Sequence, residues 1–376
     1  MKKKLKDVCT FYSGTGFPTQ HQGEIDGDYP FYKVGDIANN ATTGKIYLEL
    51  CNNYISKDVA KTIKGCILPK DTVVFAKIGE ALKLNRRAIT SRECLIDNNA
   101  MGIAPKTDYL RIQYFYFFMR NLKMQTLAES TTVPSVRKTK LENYEIEVPS
   151  LTEQKEIEKK LTLIGGIIKK RKEELSILDN LIRARFVELF GDENNSKNWS
   201  IVHIEDVADV QVGVVIKPSQ YYTDESNGIK AFRSLNVGAG FIKDSDWVYF
   251  TAEGHQKNSK SILRENDLLI VRSGAPGTAC VVTEDYVGCN AIDIIIAHPD
   301  CEKVNPYYLC TFTNMPHGKK QIVEGTGGAA QQHFNVGKYN KLQLMLPPKE
   351  LQDKFVEFIN QIAKSKFTKT FGPLRC

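Results

Sequence analysis

Three stretches carry residue types in which catalysis could reside. Asn305-Pro306-Tyr307-Tyr308 is one residue away from the Asn-Pro-Pro-aromatic pattern used for amino-group methylation of bases. That chemistry also needs a glycine-rich cofactor loop in a strand–turn–helix setting, and none lies upstream. Pro299-Asp300-Cys301-Glu302-Lys303 has the letters of a nuclease carboxylate–lysine motif. Its residues are contiguous, whereas metal-ion chemistry draws carboxylates from separate strands, so the stretch reads as a turn. Cys280, Cys289, Cys301 and Cys310 stand 9, 12 and 9 residues apart, unlike the short intervals of zinc sites, and read as buried thiols. Gly14-Thr15-Gly16 lacks the third glycine of a dinucleotide loop. The six histidines show no pairing that suggests a base or ligand set. The expectation is no catalytic residue, no metal site and no cofactor.

The elements around these stretches are organised as an internal repeat. "VPSLTEQKEIEKKL" (148–161) returns as "LPPKELQDKFVEFI" (346–359), with Pro149 and Pro347 a step of 198 residues apart and Gln154 and Gln352 each five residues further on. Leu5–Val8 answers to Ile204–Val207 at a step of 199, and Pro30–Ile37 to Lys230–Val237 at 200. Ile67–Gly79 answers to Ile262–Gly274 at 195, and Asn98–Ile103 to Cys289–Ile294 at 191. Matches in unbroken order with small drifts mean one duplicated unit with altered loops. Each unit reads as mostly β: short β-branched runs ("TVVFAKI", "LLIVRS") end at glycine, and "YEIEV" and "LQLML" alternate with period 2. One helix is expected in each, over Tyr109–Gln125 and Pro306–Gln321.

Between the units the period changes to seven. One seam position holds Leu161, Ile168, Leu175, Ile182 and Leu189; the other holds Ile157, Ile164 and Leu178, interrupted by Arg171 and Arg185. This is coiled-coil spacing. A helix over Leu151–Phe190 would be roughly 60 Å long. Leu351, Phe355, Phe358 and Ile362 repeat the beat near the end of the chain, an antiparallel partner for it. Arginines buried in the seam would need acidic partners. The fold expected is α+β: mostly β domains over 1–148 and 196–346, a spacer helix over 149–195 and a second over 347–376, pseudo-two-fold. The pattern fades after Phe367 and Pro373 would stop a helix, so the second arm reads as shortened.

The net charge of +7 is uneven: +6 over 1–148, zero over 149–195, −2 over 196–346 and +3 over 347–376. A basic first half admits a polyanion partner, and the second half would hold one weakly by itself. The basic start lacks the apolar core of a signal peptide, and no run approaches membrane-spanning length. A cytoplasmic location with reduced thiols is expected.

The layout resembles the specificity subunit of type I restriction–modification systems. The resemblance rests on "VPSLTEQKEIEKKLTLIGGIIKKRKEELSILDNLIRARFVELFGD", "LPPKELQDKFVEFINQIAKSK" and "AKIG…RRAITSRECLIDNNAMGI", and it covers nearly the whole chain. It implies a non-catalytic protein whose globules each read half of a bipartite double-stranded DNA site. It also implies helices that set the gap and dock methyltransferase subunits, with motor-nuclease subunits joining for restriction. The shortened second arm raises a self-dimer. A helical scaffold derived from such a subunit, no longer reading DNA, is the other reading.

Base reading uses Arg and Lys for guanine and Asn and Gln for adenine, from exposed loops. The candidates in the first unit are Ser13, Thr15, Lys33, Lys77, Lys83, Arg86, Arg87, Arg137 and Lys138; in the second they are Lys217, Arg233, Arg272, Gln331, Gln332 and His333. The repeat aligns Lys33 with Arg233 and Lys77 with Arg272. The aromatic run Tyr114–Phe118 covers more than one helical face and reads as core.

Overall fold

The computed structural model describes residues 1–129, 133–325 and 334–368, apart from the side chains of Phe367 and Thr368. The chain forms two compact units, Met1–Lys170 and Arg171–Cys376, and the division between them falls within the sequence of one helix, Leu151–Phe190.

In the first unit a five-stranded sheet runs in the order Cys9–Ser13, Ala100–Pro105, Val73–Ala76, Ala88–Thr90, Tyr47–Leu48. Beside it lies a three-stranded sheet, Tyr54–Ile55, Tyr29–Tyr32, Leu95–Ile96, and Lys2–Lys4 pairs with Glu145–Glu147. Val73 to Ala76 are buried without alternation because both faces of this central strand are covered. One cover is the helix Ile112–Asn121, which inserts Phe115, Tyr116 and Met119 into a core with Phe75, Ile89 and Ile103.

The second unit repeats the plan. Ala208–Val212, Ile294–Pro299, Leu268–Val271 and Ala279–Val281 follow one another as their counterparts do, and Ser200–His203 pairs with Gln343–Leu346. Phe31 lies parallel to Leu95, and Ala231 likewise to Asn290. These registers correct one sequence match. Leu95 corresponds to Asn290, a step of 195, so the likeness of Asn98–Ile103 to Cys289–Ile294 is out of structural register. The helices also end earlier than their patterns. Leu122 turns extended after Asn121, and a short 3₁₀ turn follows at Met124–Leu127. In the second unit Pro316 forces Met315 out of the helical region and splits the helix into Pro306–Asn314 and Pro316–Gly325.

The repeated glutamines have a repeated task. Gln154 is fully buried; its amide donates to the carbonyls of Tyr109 and Pro149, and its oxygen accepts from the Arg111 amide. Gln352 is equally buried, donating to Lys303 and Pro347 carbonyls and accepting from the Asn305 amide. Each pins the first turn of a spacer helix to the chain entering its unit's core helix.

In the second unit Lys349–Thr368 packs antiparallel on the later half of the long helix. Lys366 meets Arg171 and Asp179, the Arg185 guanidinium lies 5.8 Å from the Phe358 ring, and Phe186 and Phe190 close on Phe355. Leu175, Leu178, Ile182, Leu189, Leu351 and Phe358 are half-buried along this seam, and Phe355 and Ile362 are buried. The seam arginines find carboxylates one turn on along their own helix: Arg171 with Glu174 and Arg185 with Glu188, each at 2.8 Å. The earlier heptads differ. Leu161, Ile164 and Ile168 are 36%, 50% and 52% exposed, and only Ile157 is half-buried, so this stretch is not covered from within the described residues.

Candidate nucleic-acid interface

In the first unit Ser13 lies opposite Met101 and Ala76 opposite Ala100, so two strands end where a third begins. The residues just beyond, Gly14-Thr15, Lys77 and Asp97–Asn99, therefore gather at one end of the sheet. Lys77 donates its amide to Asn99 and accepts from Val136; Ile78 bridges Ser135, which delivers Arg137 and Lys138 nearby. Asp97 accepts from the Val34 amide and its own amide bonds Tyr32, bringing Lys33 to the same end.

The second unit builds the same end. Val271 lies opposite Ile294, the Gly213 amide bonds Ile294, and Ile292 bonds Phe232, the residue before Arg233. The Phe334 amide reaches the Arg272 carbonyl as Val136 reaches Lys77. Gly14 and Gly213 occupy equivalent crossings. A Cβ on Gly14 would stand 1.7 Å from the Asp97 carbonyl oxygen, and one on Gly213 2.2 Å from that of Ala291, so neither position admits a side chain.

The candidates divide by what their side chains already hold. Ser13 is exposed at the strand end, whereas the Thr15 hydroxyl accepts from the Cys66 amide and bears on the loop rather than on solvent. The Lys33 ammonium sits 3.9 Å from the centre of the Phe17 ring and bonds Gln22. Lys77 is half-buried and Arg86 half-buried, with no ion pair for either among the described residues. Lys83 pairs with Glu80 at 2.7 Å, Arg137 with Glu129 at 2.6 Å and Lys138 with Glu142 at 3.6 Å, all near the surface and weakly held.

Arg87 is a correction. It is 2% exposed, its guanidinium lies 4.9 Å from the Phe75 ring, and it bonds Asn85 and the Arg86 carbonyl, so it is a core residue and does not face a ligand. Burial lowers its pKa to about 10. In the second unit Lys217 is exposed in the left-handed region, φ 44°, ahead of Pro218. Arg233 bonds the Asp246 carbonyl, and Arg272 pairs with Asp293 and donates to the Phe334 carbonyl. Gln331, Gln332 and His333 lie outside the described residues.

Sequence reasoning missed Asp97 and Asp293, which organise the two ends. The sole signal for Asp97 was its place in the "DNNA" turn between two strand-like runs.

The catalytic look-alikes have structural roles. Asn305 caps the helix Pro306–Asn314, accepting from Tyr307 and donating to Asp353 at 2.8 Å, and Tyr308 is buried with its hydroxyl on the Met345 carbonyl. Pro299–Lys303 turns on itself, Asp300 accepting from Glu302 and pairing with Lys303 at 3.2 Å. Cys280, Cys289 and Cys310 are buried as expected, but Cys301 is exposed on that turn. Burial pushes the Cys289 and Cys310 thiols up, to about 11 and about 12, and raises Cys280 as well. A thiol reagent at neutral pH is therefore expected to label Cys301 first and to spare Cys280 and Cys310 until the protein unfolds. Peptide mass mapping that found Cys310 labelled as fast as Cys301 would contradict this packing. Of the aromatic run, Phe115 and Tyr116 are buried; Tyr114, Phe117 and Phe118 are half-buried and line a shallow groove with Arg120 and Leu161.

A family model described as "Type I restriction modification DNA specificity domain" matches residues 1–176 and 196–370. The chain is 21% identical over 387 residues to the type I restriction enzyme MjaIX specificity subunit of Methanocaldococcus jannaschii, covering 96% of this chain and 86% of that protein. It is 21% identical over 388 residues to the EcoBI specificity subunit of Escherichia coli, covering 96% and 79%. Among solved structures, the type I restriction–modification S subunit from M. genitalium is similar in fold, with a TM-score of 0.53 at 12% identity over 97% of this chain and 90% of that one.

Proposed function

The chain belongs to the type I restriction–modification DNA specificity family, and from that premise we propose how its parts divide the work. It is a specificity subunit without catalysis of its own. Residues 1–148 and 196–346 are two target recognition domains, each reading half of a bipartite double-stranded DNA site from the major groove. Residues 149–195 and 347–376, of which 369–376 lie outside the described residues, are the spacer that sets the gap. Adenine methylation and cleavage belong to methyltransferase and motor-nuclease partners, which also supply most of the phosphate contacts, since the second domain carries a net charge of −2. The observation that carries this reading is the repeat of cations at one end of matching sheets: Lys33 and Lys77 in one, Arg233 and Arg272 in the other. Such ends hold cations at strand-fixed positions, and Lys77, with no ion pair among the described residues, is the one placed to read a base edge.

The uncovered heptads around Gly165-Gly166 are the surface for the methyltransferase. A second copy is the weaker occupant. Antiparallel self-pairing centred there would set Lys159 and Lys160 against Lys172 and Arg171, and like charges repel.

The test is co-expression with a type I methyltransferase subunit and mapping of modified adenines in host DNA. Methylation at a bipartite motif with a fixed gap is expected. A palindrome of one half-site would mean that a dimer reads through one domain. An intact complex that adds no methylation would favour the scaffold reading and refute this one.

A further inference from the structure

Large apolar side chains stand exposed beside the cations of the second unit: Leu235 is 64% exposed and Phe241 58%. Both line a cleft of about 370 Å³ formed by the loop after Arg233 and the loop after Arg272, with Gly238, Ser273, Gly274 and Ala275 in its walls. The loop is held firmly. Asn236 is fully buried, accepting from the Arg233 amide and donating to the Ser245 carbonyl at 2.8 Å. Gly240, at φ 82°, donates to Ala279, and Gly238 to Phe241. A Cβ on Gly238 would lie 2.7 Å from the Phe241 ring, so the ring rests on a bare backbone. Phe241 is thus a pre-positioned exposed aromatic at a fixed turn, with few conformations left to lose on binding.

The internal repeat shows that this is not a requirement of the scaffold. Asp36 accepts from the Lys33 amide at 2.8 Å as Asn236 does from Arg233 at 2.9 Å, so both units start the loop alike. In the first unit a short helix follows, Val34–Thr42, carrying Asn39 and Asn40. In the second the same place carries Leu235, Val237 and Phe241. The two copies diverge in chemistry where they are matched in frame, as expected for residues that set specificity.

We infer that Leu235 and Phe241 are specificity-determining residues that contact thymine 5-methyl groups in the major groove of the half-site read by the second unit. This rests on the DNA-reading function proposed above. The occupant is set by two features besides apolarity. The cleft continues the end of the sheet where Arg233 and Arg272 lie. Lys243 also lines it, exposed and with no ion pair among the described residues, in position to meet a phosphate beside the base. Among base edges in the major groove, the thymine methyl is the apolar one. It also explains how a domain of net charge −2 recognises DNA with Arg233 and Arg272 already engaged.

The test uses the complex with its methyltransferase and duplexes carrying the mapped motif. Thymines of one half-site at a time are replaced by deoxyuridine, which lacks the methyl. Affinity is expected to fall about fourfold per contacted methyl in one half-site, and to be unchanged on substitution in the other. The Leu235→Ala/Phe241→Ala variant, its fold checked by thermal melting, is expected to bind the thymine and uracil duplexes alike. Wild-type complex that binds the motif specifically yet ignores uracil in both half-sites overturns the inference and leaves the DNA-reading function standing. So does a motif with no thymine in either half-site, or a variant that keeps the uracil sensitivity. A complex with no sequence-specific binding overturns the DNA-reading function itself.

Discussion

Gln352→Ala is expected to lower the stability of the second unit by about 4 kcal/mol. The substitution strips partners from the carbonyls of Lys303 and Pro347 and from the amide of Asn305, at a fully buried site. Each orphaned buried group costs on the order of 1–3 kcal/mol, and the small cavity left by the side chain adds to the sum. The chain's two tryptophans, Trp199 and Trp247, both lie in this unit, and the Trp199 indole donates to the Phe190 carbonyl at the end of the spacer helix. Their fluorescence therefore reports the event directly. With a urea dependence of about 2 kcal/mol per M, the midpoint should drop by about 2 M. A loss below about 1 kcal/mol would mean that water replaces the amide and that the glutamine is not what fastens helix to domain. Gln154→Ala should cost the first unit a similar amount, visible as lost amide protection around Arg111.

The duplication and the period-seven linker were legible because they are one-dimensional signals, in which residue spacing carries the information. The long helix begins and ends where the pattern placed it, at Leu151 and Phe190. Gln154 and Gln352 were visible as an echo, but their burial was not, since a glutamine at a helix start reads equally well as solvated. Helix ends were missed where local backbone chemistry overrides periodicity, as at Met315 before Pro316. The site was half legible. Lys33, Lys77, Arg233 and Arg272 could be chosen by their repeat, yet Arg87 could not be told from Arg86 in "NRRAI". The difference appears only in the packing: Arg87 lays its guanidinium on the Phe75 ring in the core, while Arg86 stays half-buried. Leu235 and Phe241 escaped because exposed apolar residues carry no sequence signature; only their exposure beside the cations marks them.

Lys77→Ala and Arg272→Ala, at matched positions of the repeat, are expected to fail in different ways. Lys77 holds no ion pair among the described residues, and its backbone alone ties Asn99 to Val136. Removing its ammonium should leave the unfolding midpoint unchanged. Specific DNA affinity should weaken about fivefold to 150-fold, the range of one well-placed base contact of 1–3 kcal/mol. If the ammonium meets a base, discrimination relaxes at one position of one half-site. If it meets a phosphate, affinity falls evenly across sequences and the slope of log affinity against log salt drops by about one. Arg272, with its side chain 16% exposed, is already spent on Asp293 and the Phe334 carbonyl. Its loss should destabilise the second unit by about 1–2 kcal/mol, discounted because Asp293 is 43% exposed and screened by water. Its effect on DNA should follow that loosening, and Arg272→Lys should recover little, since an ammonium cannot span both acceptors as the planar guanidinium does. Titrations of the methyltransferase complex on motif and scrambled duplexes, paired with urea melts, separate the two. Equal losses of stability in both variants, or unaltered affinity and specificity in Lys77→Ala, would refute the assignment of Lys77 as the reading cation and Arg272 as the one that holds its neighbour in place.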